Sequence, residues 1–103
     1  MKALVCNEFA PPEQLDLEER RTPDVGKGEI LIDVKASGVN FPDLLTVQGK
    51  YQFKPPLPFV PGAEVAGVVT AVGDGVSTRA VGDKVIATVP FGGFAEQCVT
   101  SEY

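Results

Sequence analysis

Histidine is absent from this chain of 103 residues. Its absence removes histidine general bases and every pairing of a nucleophile with histidine. It also removes the common zinc sets, because four protein ligands cannot be assembled from two cysteines and no histidine. Those two cysteines, Cys6 and Cys98, form no CxxC pair and read as reduced structural thiols. No apolar run approaches the roughly 18 residues of a membrane span. The sequence Met1-Lys2-Ala3-Leu4-Val5-Cys6-Asn7-Glu8 meets an acid too early for a signal peptide, so the expectation is a cytoplasmic protein with its true start at Met1. The nine basic residues are scattered, only Arg20 and Arg21 being adjacent, and the net charge is −5. That balance argues against nucleic acid or an anionic membrane as partner. A dinucleotide fingerprint is also missing. Gly26-Lys27-Gly28 and Gly73-Asp74-Gly75 are the only Gly-x-Gly steps, and neither continues to Gly-x-x-Gly.

What remains is a chain of 44% hydrophobic residues, suited to one domain with one modest core. Short strands separated by Gly and Pro turns dominate the pattern. Lys2 to Asn7 and Gln14 to Glu19 read as the first two strands. Glu29 to Val39 is the clearest, with Ile30, Ile32, Val34 and Ala36 on one face and Leu31, Asp33 and Lys35 on the other. Asn40 is a good N-cap for a short helix, Phe41 to Gln48, closed by Gly49. Lys54 to Pro61 holds four prolines and is excluded as a central strand. Val65 to Val72, Asp83 to Val89 and Phe94 to Thr100 complete the strands, with turns at Gly73-Asp74-Gly75 and Gly82-Asp83. Six or so such strands imply a sandwich or barrel.

One ordered series of motifs narrows this further. Ser37-Gly38-Val39-Asn40-Phe41-Pro42-Asp43 is followed by the proline loop. Then come Gly62-Ala63-Glu64-Val65-Ala66-Gly67, Gly73-Asp74-Gly75-Val76, Gly82-Asp83-Lys84-Val85 and Gly92-Gly93-Phe94-Ala95-Glu96. Together they resemble the N-terminal catalytic domain of the medium-chain dehydrogenase/reductase superfamily. The resemblance implies a mainly β fold, a partly open GroES-like β-barrel with short helices. In the zinc alcohol dehydrogenases of that superfamily, a cysteine stands where Asn40 stands here, and a histidine where Ala63 stands. The pattern is therefore similar to the zinc-free NADPH:quinone oxidoreductase branch.

The resemblance implies a substrate-side domain over residues 1–103 that precedes a nucleotide-binding domain, and hydride transfer from NADPH to a quinone or activated carbonyl. Reduction of an alkenal or enoyl double bond is the alternative within the same superfamily. The chemistry is coherent without a metal. An alcohol needs help to lose its proton as hydride leaves, which a Lewis acid supplies. A quinone or enone accepts hydride readily and yields a delocalised oxyanion, for which modest hydrogen-bond donors suffice. Asn40 and Tyr51 are the candidate catalytic residues, and Asn40, Asp43 and Tyr51 the candidate cleft. Asn40 is equally explained as a helix cap, Tyr51 as a half-buried loop residue and Asp43 as a helix-start carboxylate. Glu64 reads as part of an ion pair or a hydrogen-bond network behind the site. The branch further implies a homodimer for the intact protein and no metal. A different class, a non-enzymatic co-chaperonin-like module, shares the barrel but needs a mobile apolar loop, which the proline-stiffened stretch from Gly49 to Pro61 does not offer.

Overall fold

The computed structural model describes residues Met1–Tyr103. Six strands and one helix follow in order: β1 (Lys2–Val5), β2 (Asp16–Glu19), β3 (Glu29–Ser37), α1 (Phe41–Val47), β4 (Glu64–Val72), β5 (Lys84–Thr88) and β6 (Gln97–Ser101). A 3-10 turn at Pro12–Gln14 precedes β2, so the second strand begins two residues later than its alternation suggested. Strand β1 stops at Val5 because Cys6 leaves the ribbon to make an isolated bridge with Phe59.

Strands β5-β4-β3-β6 form one antiparallel sheet, and β1-β2 form a separate antiparallel ribbon. The ribbon is tied to the segment before β6 by Leu4 N–H on the Phe94 carbonyl (2.9 Å) and Glu96 N–H on the Lys2 carbonyl (3.0 Å). The two sheets do not close on one another, giving the partly open GroES-like barrel.

Strand β3 is the centre of the fold, paired on both edges. Ile30, Ile32, Val65 and Val69 form the main core cluster, with Val34, Val76, Val85 and Ala87 packed around it. Each such aliphatic side chain contributes about 1.5–3 kcal/mol by leaving water. The alternation read from the sequence is not kept in β3, where Ile30 to Ile32 are buried in a row. Register shifts between Leu31 and Ile32 and between Val34 and Ala36 break the period, Leu31 is buried with its neighbours, and Ala36 is exposed. Strand β3 ends at Ser37, two residues short of Val39.

A second cluster of Cys6, Val47 and Phe59, with Leu15 against it, fastens α1 and the proline loop to the end of β1. The loop is further pinned by two backbone bonds between Cys6 and Phe59 (2.8 and 3.1 Å) and by fully buried Pro55 and Pro61. Helix α1 closes as its sequence implied. Gly49 takes φ +70°, Gly49 N–H reaches the Thr46 carbonyl and Lys50 N–H the Leu45 carbonyl, the paired bonds of a Schellman end. No helix is long and apolar enough to cross a membrane.

The two Gly-x-Gly steps have a structural use. Gly28 N–H donates to the Asp74 carbonyl (2.9 Å) and Gly73 N–H to the Glu29 carbonyl (2.8 Å). A side chain on Gly73 would collide with the Gly26 carbonyl. These glycines let two turns pack backbone to backbone.

Candidate functional site

The β3–α1 junction and the start of β4 bring Asn40, Asp43 and Glu64 together, while Tyr51 follows the C-terminal end of α1. Ser37 anchors the junction through its hydroxyl, which donates to the Gly93 carbonyl (2.6 Å). Gly38 N–H donates to the Glu64 carbonyl (3.0 Å), so the chain leading into α1 lies against the first residue of β4.

Asn40 holds the N-cap backbone position, with φ −122° and ψ 161°, and its side chain and that of Asp43 are set reciprocally across the first turn as a capping box. The tighter half of the box is the Asp43 carboxylate: its Oδ2 accepts from Asn40 N–H at 2.9 Å, while Asp43 N–H also reaches the Asn40 carbonyl oxygen at 3.0 Å. Asn40 is exposed at the lip of the helix, its side-chain oxygen toward the first turn and its amide nitrogen donating to no group of the chain. Asp43 is only 6% exposed, and its carboxylate is committed to the helix start. The geometry gives it the capping role directly.

Tyr51 follows the helix end and is 37% exposed. Thr46 and Gln48 spend their side chains on α1 carbonyls, whereas the Tyr51 hydroxyl has no partner within the chain. Two residues on, Phe53 stacks with Phe91 (6.0 Å between centroids), and Phe91 meets Phe59 edge-on (6.1 Å). This aromatic run beside Tyr51 was not singled out in the sequence, where Phe53 and Phe91 stand 38 positions apart and only the fold joins their loops.

Ala63 occupies the position of the superfamily's histidine ligand. It is half-buried, and its carbonyl accepts from Val89 N–H at 2.8 Å. No group of three or more His, Cys, Asp or Glu side chains converges anywhere in the chain. Glu64 forms none of the four ion pairs; its carboxylate turns toward Gly38 instead of toward a cation. The two cysteines are free and buried. Burial pushes both thiols above the ordinary value of 9.0; at Cys6 a backbone hydrogen bond at Glu8 opposes this and the Glu8 charge adds to it.

A cavity of about 730 Å³ lies elsewhere, between the Arg20–Arg21 end of the ribbon, β6 and the loops carrying Phe59 and Phe91. Asn40, Asp43 and Tyr51 do not line it. It is the gap where the two sheets fail to close.

Residues 26–103 match the alcohol dehydrogenase GroES-like domain. The mouse quinone oxidoreductase-like protein 2 is 45% identical over 101 residues, covering 98% of this chain and 28% of that protein. The human synaptic vesicle membrane protein VAT-1 homolog-like protein superposes with a TM-score of 0.93 at 40% identity, over 98% of this chain and 33% of its own. The Escherichia coli quinone oxidoreductase complexed with NADPH superposes with a TM-score of 0.88 at 32% identity, over 96% of this chain and 30% of its own. The chain thus spans a third or less of the length of the proteins it matches.

Proposed function

The chain belongs to the alcohol dehydrogenase GroES-like domain family, in the quinone oxidoreductase branch of the medium-chain dehydrogenases and reductases, and from that premise we propose that it is the substrate-side domain of a cytoplasmic, NADPH-dependent quinone oxidoreductase that works without zinc. The observation that carries this reading is the β3–α1 lip. There an exposed amide, Asn40, replaces a thiolate ligand, and Ala63 replaces an imidazole ligand.

The residues present fit one end of the cofactor only. Neither Gly-x-Gly turn is free to cradle a pyrophosphate, because each is packed against the other. That task falls to a nucleotide-binding domain outside these 103 residues. When bound, NADPH supplies the hydride. Asn40 and Tyr51 line the face toward which the reacting ring is brought. The Tyr51 hydroxyl, with no partner of its own, donates to the oxygen that gains negative charge. Its ring, with Phe53 nearby, offers a flat surface for a flat acceptor. Asp43 acts at one remove, by holding the helix start that presents Asn40. Quinones lead over alkenals and enoyl thioesters because the relatives with solved cofactor complexes are named for quinones. A homodimer is part of the proposal for the intact protein.

Calorimetry tests the division of labour. The longer protein is expected to bind NADPH at micromolar or tighter Kd. The isolated chain is expected to bind it at least a hundredfold more weakly, since it lacks the backbone donors for the pyrophosphate. Submicromolar binding by the isolated chain overturns the two-domain reading.

A further inference from the structure

Strand β5 is an outer edge of the main sheet, paired with β4 on one side and with no strand on the other. Its register fixes which backbone groups that leaves over. Val89 N–H donates to the Ala63 carbonyl and Val69 N–H to the Asp83 carbonyl, so the odd-numbered positions of this segment spend their backbone groups on β4. By the alternation of an antiparallel pair, the N–H and C=O of Lys84, Ile86 and Thr88 point away from the sheet. None of them bonds outside the β4–β5 pair.

The side chains divide the same way. Val85 and Ala87 turn inward onto the core cluster of Ile30, Ile32, Val65 and Val69. Lys84, Ile86 and Thr88 face out, and Ile86 is 82% exposed. Beside it, Ala66 and Val68 of β4 floor an open groove of about 610 Å³, flanked by Lys35 and Lys84. Lys35 is held by Asp33 at 2.8 Å, whereas Lys84 enters no ion pair. A free edge with an aliphatic residue at its middle is a template for another strand, and folded proteins blunt such edges with prolines, bulges or charges. Strand β5 has no proline and no register shift, and its one charge, Lys84, stands at its end.

Two occupants compete for this edge. A second β5 would offer only five residues of strand. That is about 17 Å of edge, a strip on the order of 200 Å² per partner, against roughly 800 Å² per partner in a stable dimer. A strand of the same polypeptide faces no such threshold, because tethering gives it an effective concentration on the order of millimolar. The part matched here is a third or less of each relative, which leaves ample chain to supply one.

We propose that the free edge of β5 receives a further strand from the part of the longer protein outside residues 1–103. That strand takes the outward N–H and C=O groups of Lys84, Ile86 and Thr88 into the sheet. It sets an aliphatic side chain beside Ile86, over the groove floored by Ala66 and Val68. Because Val89 is bonded to Ala63, the same edge leads to the start of β4, and the added strand braces that flank of the β3–α1 site. The inference goes beyond quinone reduction and does not depend on it.

Two measurements on the longer protein test the proposal, and neither needs turnover. Hydrogen exchange resolved to single amides is expected to show Lys84, Ile86 and Thr88 slowed at least about a hundredfold from free-chain rates, as Val85 and Ala87 are, and equally at high and low protein concentration. Free exchange at those three amides while Val85 and Ala87 stay protected overturns the proposal. Protection that fades on dilution also overturns it, by making the occupant a second copy. The second measurement irradiates the Ile86→p-benzoylphenylalanine variant and maps the cross-link by mass spectrometry. The expected product is a link within one polypeptide to a residue outside 1–103. A link to a second copy, a link back into residues 1–103, or no link at all overturns the assignment.

Discussion

Removing the Asp43 carboxylate separates two roles that the sequence leaves superimposed, a cleft acid and a helix cap. In the structure the group is buried and accepts Asn40 N–H at 2.9 Å in the first turn of α1. Asp43→Ala deletes a hydrogen bond to a charged acceptor, about 1.5–3 kcal/mol, and the favourable charge at the helix start, about 0.3–1 kcal/mol. The expected loss is about 2–4 kcal/mol. For a domain of this size that lowers Tm by roughly 10–20 °C. Asp43→Asn keeps an acceptor of the same shape and loses only the charge, so its expected cost is about 1 kcal/mol. Urea unfolding followed by circular dichroism measures both, with the m-value checking that the transition keeps its character. A loss under about 0.5 kcal/mol for Asp43→Ala refutes the capping account and returns Asp43 to the list of groups free to act in the cleft.

Further expectations follow from the same geometry. Tyr51→Phe in the longer protein should leave unfolding within about 0.5 kcal/mol of wild type and lower kcat/KM for a quinone by roughly tenfold or more, because only an unshared hydroxyl is removed; full activity would make Tyr51 packing alone. Gly73→Ala forces a methyl group into the Gly26 carbonyl and should cost more than about 2 kcal/mol, whereas Gly82→Ala, with φ +97° but open space, should cost about 1 kcal/mol of backbone strain; denaturation curves rank them. The thiols of Cys6 and Cys98 have folded pKa values raised above the ordinary 9.0, so their contribution to stability is whole below that value and is lost as pH rises through the folded one. Stability should therefore decline above about pH 9, and the Cys6→Ala/Cys98→Ala double variant should flatten that decline.

The sequence carried the strands, the helix and both helix ends, because each is written in local chemistry: alternation, an Asn–Pro–Asp start, a glycine stop. It did not carry the two register shifts of β3. A period-2 pattern cannot show where a partner strand slips, and Ala36 was placed inward when it lies exposed. The cap at α1 was legible in Asn40, and the part of Asp43 was legible only as a helix-start charge; the fold makes the two reciprocal, a capping box in which the Asp43 carboxylate takes Asn40 N–H. Glu64 was expected in an ion pair or network; whether its carboxylate finds a cation or a glycine depends on β4 lying beside Gly38, a contact between residues 26 positions apart. The pairing of Gly26 with Gly73 is of the same kind: the sequence shows two failed phosphate motifs, and only the fold shows that they close one corner.

The central claim is quinone reduction by NADPH without a metal, and one assay addresses it. The longer protein, exhaustively dialysed against a chelator and checked by elemental analysis, is mixed with NADPH and a simple quinone, and nicotinamide oxidation is followed by absorbance. Undiminished turnover with less than about one zinc per ten chains is the predicted result, as Asn40 and Ala63 at the two ligand positions require. Turnover that disappears on chelation and returns with added zinc, or oxidation of simple alcohols with no reduction of quinones, would contradict it.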